Sequence, residues 1–322
     1  MRAYNYLLTK MPAKVASHFT SLPVIQADNV ATYIEQLPDQ PWTYADFPNV
    51  APPFRDFFVD SKYQDIDIYM GMHVMTYDRE DPLALSTFQY HQAILKSDVR
   101  WLFLVNYYIT HDTNRPQKGV TTLPATMLYQ IRSDGLPYWS ETHAVRLNIP
   151  VWDNGYLYDL VRVPDGFELD IIRQTPKPAN AINIDLFEKS IYQAGELTPH
   201  LLLTLTFMNT ANVRIVDNNA ATLPKSTKKR QRLLRRTQQP VSAYKTIQIR
   251  PMTRENTDNR ASSSEPTYRT TIRRGGFRDY RHGKGLFGRE SHRKIYWFDA
   301  IEPNPGEGRQ YNIHTGQKTT KD

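Results

Sequence analysis

The segment from Asp65 to about Asp170 constrains the fold most, because its residue pattern is typical of β-strands. The stretch "IDIYMGMHVMTY" alternates in polarity and is rich in β-formers, and "RWLFLVNYYIT" is nearly all apolar, as in a strand buried on both faces. The pairs Asp134-Gly135 and Asp165-Gly166 are typical of turns between paired strands. We therefore predict an antiparallel, meandering sheet.

Helices are expected after these strands. The stretch "INIDLFEKSIYQAGEL" predicts a helix that ends at Gly195, since glycine favours the C-terminal cap. A separate, buried helix would follow, with Thr198 as its N-cap and Pro199 in its first position. The β-branched residues within Leu201–Met208 leave a strand open as the alternative. The predicted fold class is α+β, an antiparallel meandering sheet packed by a few helices, with a basic C-terminal β-rich part.

Charge divides the chain into two parts. Residues 225–322 contain 23 Lys and Arg but 9 Asp and Glu, whereas residues 1–224 contain 17 and 24. We therefore predict an acidic α+β core domain over 1–224 and a basic C-terminal region over 225–322. Within the latter, the polar stretch near 253–266, with three consecutive serines, predicts a flexible loop. This asymmetry is expected when one end of a chain contacts a polyanion.

Two basic stretches are the predicted nucleic-acid contacts. Dense like charges repel one another unless an anion neutralises them, and the planar guanidinium of arginine suits phosphate oxygens. Glycines and aromatics are mixed into the second stretch, and exposed aromatics can stack on unpaired bases. The sequence leaves DNA and RNA equally open as the partner. The predicted phosphate contacts are Lys228, Lys229, Arg230, Arg232, Arg235, Arg236, Arg273, Arg274, Arg278 and Arg281, with Tyr280 as the base-stacking residue.

A nuclease-like enzyme is the second hypothesis. His282 and His292 lie among arginines with Glu290 between them. Such residues can act as acid and base while arginine stabilises the charge that develops on a phosphate. No spacing among them is diagnostic, so the main reading is non-enzymatic, with no assigned catalytic residue.

The sequence predicts no metal and no cofactor. Cysteine is absent, which rules out a disulfide framework and cysteine metal sites. Histidines at positions 73, 91, 111, 143 and 200 are scattered, and none has the i, i+4 spacing of a helical metal pair. We interpret each of them as a core or surface residue.

The sequence also gives no sign of a membrane span or a signal peptide. The longest apolar runs, "WLFLVNYYI" and "HLLLTLTFM", fall short of the roughly 18 residues that a span requires. The N-terminus has neither a long apolar core nor a small-residue cleavage signal. We therefore expect a cytoplasmic protein.

The C-terminal residues resemble a family of uncharacterised proteins from phages, plasmids and other bacterial mobile elements. Members end in Arg-Gly-His-Phe, then a Tyr, Leu-Phe-Gly and a Tyr-Trp pair. The matching residues here are Arg274-Gly275-Gly276-Phe277, Tyr280, Leu286-Phe287-Gly288 and Tyr296-Trp297. The resemblance implies a phage or mobile-element origin and a bacterial host cell as the setting.

Two departures from that family bear on function. Gly276 stands where members have His, and Ala300-Ile301-Glu302-Pro303 replaces a closing His and Arg-Gly pair. Both departures weigh against catalysis in this chain. Three hypotheses result: a nucleic-acid-binding protein of a phage or mobile element, the nuclease-like enzyme, and a phage interaction protein that engages a host defence complex. In the third, the partner would be a host protein complex, and the basic end would mimic or displace a nucleic-acid-binding component.

Overall fold

The computed structural model confirms the α+β class, with a large mixed sheet that carries helices on both faces. The structure describes residues 2–35, 41–63, 68–89, 91–111, 120–138, 141–163, 166–218, 226, 228–229, 232, 244–249, 276–298, 310–312 and 317–319. The predicted flexible loop near 253–266 lies outside these residues. Among the described helices, none is long and apolar enough to cross a bilayer.

The strands range from three to 13 residues in length. In chain order they are β1 (Val24–Gln26), β2 (Asp56–Tyr63), β3 (Ile68–Asp78), β4 (Val99–His111), β5 (Val120–Thr122), β6 (Ala125–Arg132), β7 (His143–Leu147), β8 (Val151–Asp153), β9 (Tyr156–Val163), β10 (Gly166–Gln174), β11 (Val213–Asn218), β12 (Tyr244–Ile249), β13 (Gly276–Asp279), β14 (Ile295–Phe298), β15 (Gln310–Asn312) and β16 (Gln317–Thr319). The α-helices are α1 (Ala3–Lys10), α2 (Ala13–Phe19), α3 (Asp28–Glu35), α4 (Pro82–Thr87) and α5 (Ile184–Met208).

The large sheet has the order β11-β12-β1-β2-β3-β4-β6-β7, and β5 pairs with β4 beside that path. Neighbours from β2 to β7 are antiparallel, which confirms the predicted meander. Strand β1 differs, because it is parallel to both β2 and β12. Parallel neighbours need a crossover connection, and α3 lies in the one between β1 and β2. A separate sheet has the order β10-β9-β8, and β13 pairs with β14, as β15 does with β16.

The predicted Asp134-Gly135 turn is confirmed. Gly135 has φ +89°, which a side chain would strain, and its N–H donates to the Arg132 carbonyl at 3.0 Å. The hairpin of β9 and β10 is also present, with Gly166 opposite Val163. The other two residues of that connection, 164 and 165, lie outside the described residues.

The two faces of the large sheet are covered by different helices. Alternation along β2 turns Phe57 towards the face covered by α3 and α5, and turns Phe58 towards α1 and α2. We call the α5 side the inner face and the α1 side the outer face. A third apolar cluster covers the outer face farther along the sheet, where Phe88 follows α4.

Helix α5 is one continuous helix of 25 residues, so the predicted end at Gly195 and new start at Thr198 are wrong. The strand alternative for Leu201–Met208 is wrong too. Proline inside a helix costs about 3 kcal/mol. Residues Thr198 to Phe207 are all buried, however, and each of the four leucines there contributes roughly 1.5–3 kcal/mol. Burial on the sheet therefore outweighs the cost of Pro199.

Polar contacts fix α5 on the inner face. The His200 ring lies 2.7 Å from the Ser61 hydroxyl through Nε2, and 2.9 Å from the Tyr63 hydroxyl through Nδ1. Burial lowers the pKa of His200 to about 3, so the ring is neutral near pH 7, and one nitrogen donates while the other accepts. Two residues before His200, the Thr198 hydroxyl lies 2.9 Å from the Tyr129 hydroxyl. These contacts therefore fix the position in which the buried helix lies on the sheet.

Asp60 is a buried carboxyl on the outer face of β2. Within the described residues, neither of its oxygens has a hydrogen-bond partner of good geometry. Burial raises the pKa of Asp60 to about 7, and the nearby Asp28 raises it further, while the Arg2 guanidinium and the Ala3 amide partly offset that rise. Asp28 is itself held by Arg2, with the closest contact at 2.5 Å.

The pKa of Asp60 makes the stability of the fold depend on pH. Its folded-state pKa of about 7 lies above the ordinary 3.8, so between those values the folded state binds more protons. Its contribution to stability therefore falls as pH rises from about 4 through 7. We expect Asp60→Asn to be more favourable, relative to the wild type, at pH 8 than at pH 5, as measured by urea unfolding. A difference that is the same at both pH values would contradict this assignment.

Strand β12 and the hairpin of β13 and β14 join the basic C-terminal region to the main sheet and core, whereas β15 and β16 form a separate two-stranded sheet. Strand β12 lies between β11 and β1. Trp297 of β14 is fully buried and packs edge-on against Tyr33, with ring centroids 5.1 Å apart. The predicted division into units at residue 224 stays a prediction, while β12 shares a sheet, and the β13–β14 hairpin shares a core, with the residues before 225.

Candidate functional site

The first predicted basic stretch is described in part. Lys228, Lys229 and Arg232 are exposed to solvent, which is the placement that a contact with phosphate needs. Arg230, Arg235 and Arg236 lie outside the described residues. The proposed contact surface of this stretch therefore stays a prediction.

The second basic stretch includes the hairpin of β13 and β14. Arg278 is exposed and places its guanidinium 5.1 Å from the centre of the Phe298 ring. Tyr280, predicted as the base-stacking residue, is half-buried, and its ring lies 6.2 Å from that of Tyr296 in an edge-on arrangement. Arg273 and Arg274 lie outside the described residues.

Arg281 has a structural role. Its guanidinium donates to the carbonyls of Pro48 and Asp134, both at 2.8 Å, and it also pairs with Asp279. Partial burial raises the pKa of Asp279, but the hydrogen bonds and charge of Arg281 outweigh this and hold it below its ordinary value. Arg281 thus joins the C-terminal hairpin to two distant connections and neutralises a neighbouring carboxylate.

Removing Arg281 should therefore lower stability. We expect Arg281→Ala to lower the free energy of unfolding by roughly 2 kcal/mol, because buried carbonyls and Asp279 lose a charged donor. Arg278→Ala, on the same hairpin, is the matched control and should cost about 0.5 kcal/mol. Denaturant unfolding measures both. Equal losses for the two variants would show that the Arg281 contacts contribute nothing specific.

The residues of the nuclease hypothesis lie near the same hairpin. The Glu290 carboxylate pairs with Arg293 at 2.8 Å, and Glu290 and His292 belong to one short 3-10 turn. His282 is exposed and His292 is half-buried. Because the Glu290 side chain is 81% exposed, this ion pair is weak, and the nuclease hypothesis stays a prediction.

Three aromatic residues of the C-terminal motif, Phe277, Tyr296 and Trp297, are buried in the core or pack against it. Phe277 packs against Trp297 at 4.8 Å and against Phe207 of α5 at 5.0 Å. Leu286 and Tyr296 are buried as well. These motif side chains anchor the hairpin to α5, so the spacing of the motif residues reflects the packing of the core.

The strand β10 presents apolar side chains to solvent. Among the strands that the structure describes, β10 pairs with β9 alone, so its other edge is unpaired. A β-bulge places Ile171 and Ile172 together opposite Tyr158, and the two isoleucines are 51% and 52% exposed. Bulges redirect side chains at sheet edges, and adjacent exposed apolar residues mark contact surfaces. We call Ile171 and Ile172 with the free edge of β10 the β10 edge.

A groove lies on the outer face of the large sheet between the α1 and α4 sides. It has a volume of about 570 Å³, and Leu7 and Phe88 are among the apolar residues that line it. Its polar lining is held together by hydrogen bonds: Asn106 Oδ1 accepts from the Thr126 hydroxyl at 2.7 Å and from the Asn148 amide at 3.1 Å. The groove is therefore lined about equally by apolar and by polar residues.

These features define an α+β protein with an apolar strand edge and a partly polar groove, the kinds of surface through which proteins recognise partners. The chain belongs to the AcrVA2-like family, the anti-CRISPR type V subtype A2 family, whose model matches residues 33–301. That range includes every strand from β2 to β14. Neither the curated proteins nor the solved structures contain a match. The family agrees better with a phage protein that engages a host defence system than with the nucleic-acid-binding hypothesis.

Proposed function

We propose that this protein is carried by a phage or other mobile element and inhibits a type V CRISPR–Cas system in the cytoplasm of a bacterial host. The observation that carries the proposal is the family match over 33–301, which includes every strand of the central sheet except β1, and α5. The protein acts by binding a protein component of that system.

The β10 edge is the proposed contact surface. Burying two half-exposed isoleucines against a partner is favourable, and the unpaired edge offers backbone N–H and C=O groups to an added strand. Natural sheets normally protect such edges with charge, proline or bulges. Strand β10 has a bulge and the exposed charged residues Glu168, Asp170 and Arg173 beside its two exposed isoleucines, so a partner at this edge would contact both apolar and charged side chains.

Phage plating tests inhibition and its surface together. In a host whose type V system targets an infecting phage, expression of the wild-type protein should restore plaque formation. The double variant Ile171→Glu with Ile172→Glu should return plating to the level without the protein, because two buried carboxylates in the contact would be costly. Thermal unfolding checks that the variant folds.

The matched control is Leu83→Glu, because Leu83 on α4 is also 52% exposed. This variant should protect the phage as well as the wild type does. No protection by the wild-type protein would refute the inhibitor function. Full protection by the double variant would refute only the β10 edge as its surface.

Nucleic-acid binding is the second candidate function, favoured by the exposure of Lys228, Lys229 and Arg232. CRISPR effector complexes carry a guide RNA, so a basic surface could contact the nucleic acid of the target complex. We expect RNA binding to weaken as salt rises, and replacing all three residues with alanine should make the log–log slope shallower by about 2–3. Binding that does not respond to salt would eliminate this candidate.

A further inference from the structure

Three side chains that are distant in sequence meet on the outer face of the sheet. Asp56 of β2 lies opposite Met75 of β3, and His73 lies two residues before Met75. The side chains of Asp56 and His73 therefore point to the same face of the sheet. Helix α2 covers this face and places His18 above it. The Asp56 carboxylate lies between the two imidazoles, 3.0 Å from His18 Nε2 and 2.7 Å from His73 Nε2.

The donor atoms have the composition and spacing of a metal site. One nitrogen from each histidine and one oxygen from Asp56 lie within 4.8 Å of one another. Two imidazoles and a carboxylate suit Zn²⁺ and similar divalent transition metals, which are bound at about 2.0–2.2 Å. Tetrahedral ligand atoms are then about 3.3–3.5 Å apart, so His18 Nε2 would move from the carboxylate by about 0.3–0.5 Å and His73 Nε2 by about 0.6–0.8 Å.

The surroundings of His18 permit this movement, whereas those of His73 restrict it. The side chain of His73 is 8% exposed, and its ring packs on the Phe19 ring with centroids 4.8 Å apart, which fixes its orientation. The side chain of His18 is 57% exposed and can adjust. Arg55, next to Asp56, pairs with Asp81 at 2.7 Å. Its charge is thus partly neutralised, which reduces its repulsion of a bound cation.

We propose that His18, Asp56 and His73 form a binding site for a divalent transition metal such as Zn²⁺. Three protein ligands leave a fourth position for water or for a donor from a partner, the arrangement of exchangeable zinc sites. The ion would also join α2 to β2 and β3. The site lies one strand from the groove, because His73 pairs across the sheet with Asn106.

Zinc binding to the tag-free, full-length protein tests the site. After incubation with Zn²⁺ and desalting, elemental analysis should find one zinc per chain, and Zn²⁺ should raise the unfolding temperature. Co²⁺ in place of Zn²⁺ should give the visible absorption of a tetrahedral site. His18→Gln should weaken binding by about tenfold or more and abolish the Co²⁺ signal, since a ligand is lost.

His18→Gln is the decisive variant, because an exposed side chain can be replaced without disturbing the core. Asp56→Asn should have the same effect on binding. His282→Gln, at an exposed histidine outside the cluster, should bind zinc like the wild type. The proposal is overturned if the wild type binds no more zinc than His18→Gln. The three residues would then form only a hydrogen-bonded bridge.

Discussion

The rest of the structure depends on the burial of the second half of α5 against the inner face of the sheet. A helix segment that is apolar on all sides must be covered on all sides, and here strands, α3 and the C-terminal hairpin supply that cover. Burial of the leucines supplies the free energy that stabilises this packing, while the contacts of His200 and Thr198 fix the position of the helix. The outer face is then available for more varied surfaces, since a second and a third cluster cover it only in part.

The parts of the fold that were predictable from sequence are those set by local patterns. Alternating and apolar runs between Asp65 and Asp170 indicate strands, and Asp134-Gly135 indicates a tight turn, because backbone geometry favours those residues there. Pro199 gave a wrong boundary, since tertiary burial outweighs a local helix breaker. The parallel pairing of β1 with β12 was not predictable, because three residues carry no periodicity and their partner lies over 200 positions away.

The candidate sites were less predictable, because a surface depends on what each side chain meets. Composition located the charge, but it could not show that Arg281 is engaged by two carbonyls from distant connections. Scattered histidines suggested no metal site, since His18 and His73 meet only through the packing of α2 on β3. The exposure of Ile171 and Ile172 was hidden as well, because an apolar pair in a strand usually indicates a core.

The position of Trp297 in the core has a consequence for how the protein forms on the ribosome. Its ring completes the aromatic group around Tyr33 and Phe207, yet it is among the last of the core residues to be synthesised. The strand β12 likewise reaches its place beside β1 only after more than two thirds of the chain has been made. Because such long-range pairings form slowly, the nascent chain would expose an incomplete core until β12 and Trp297 have been synthesised.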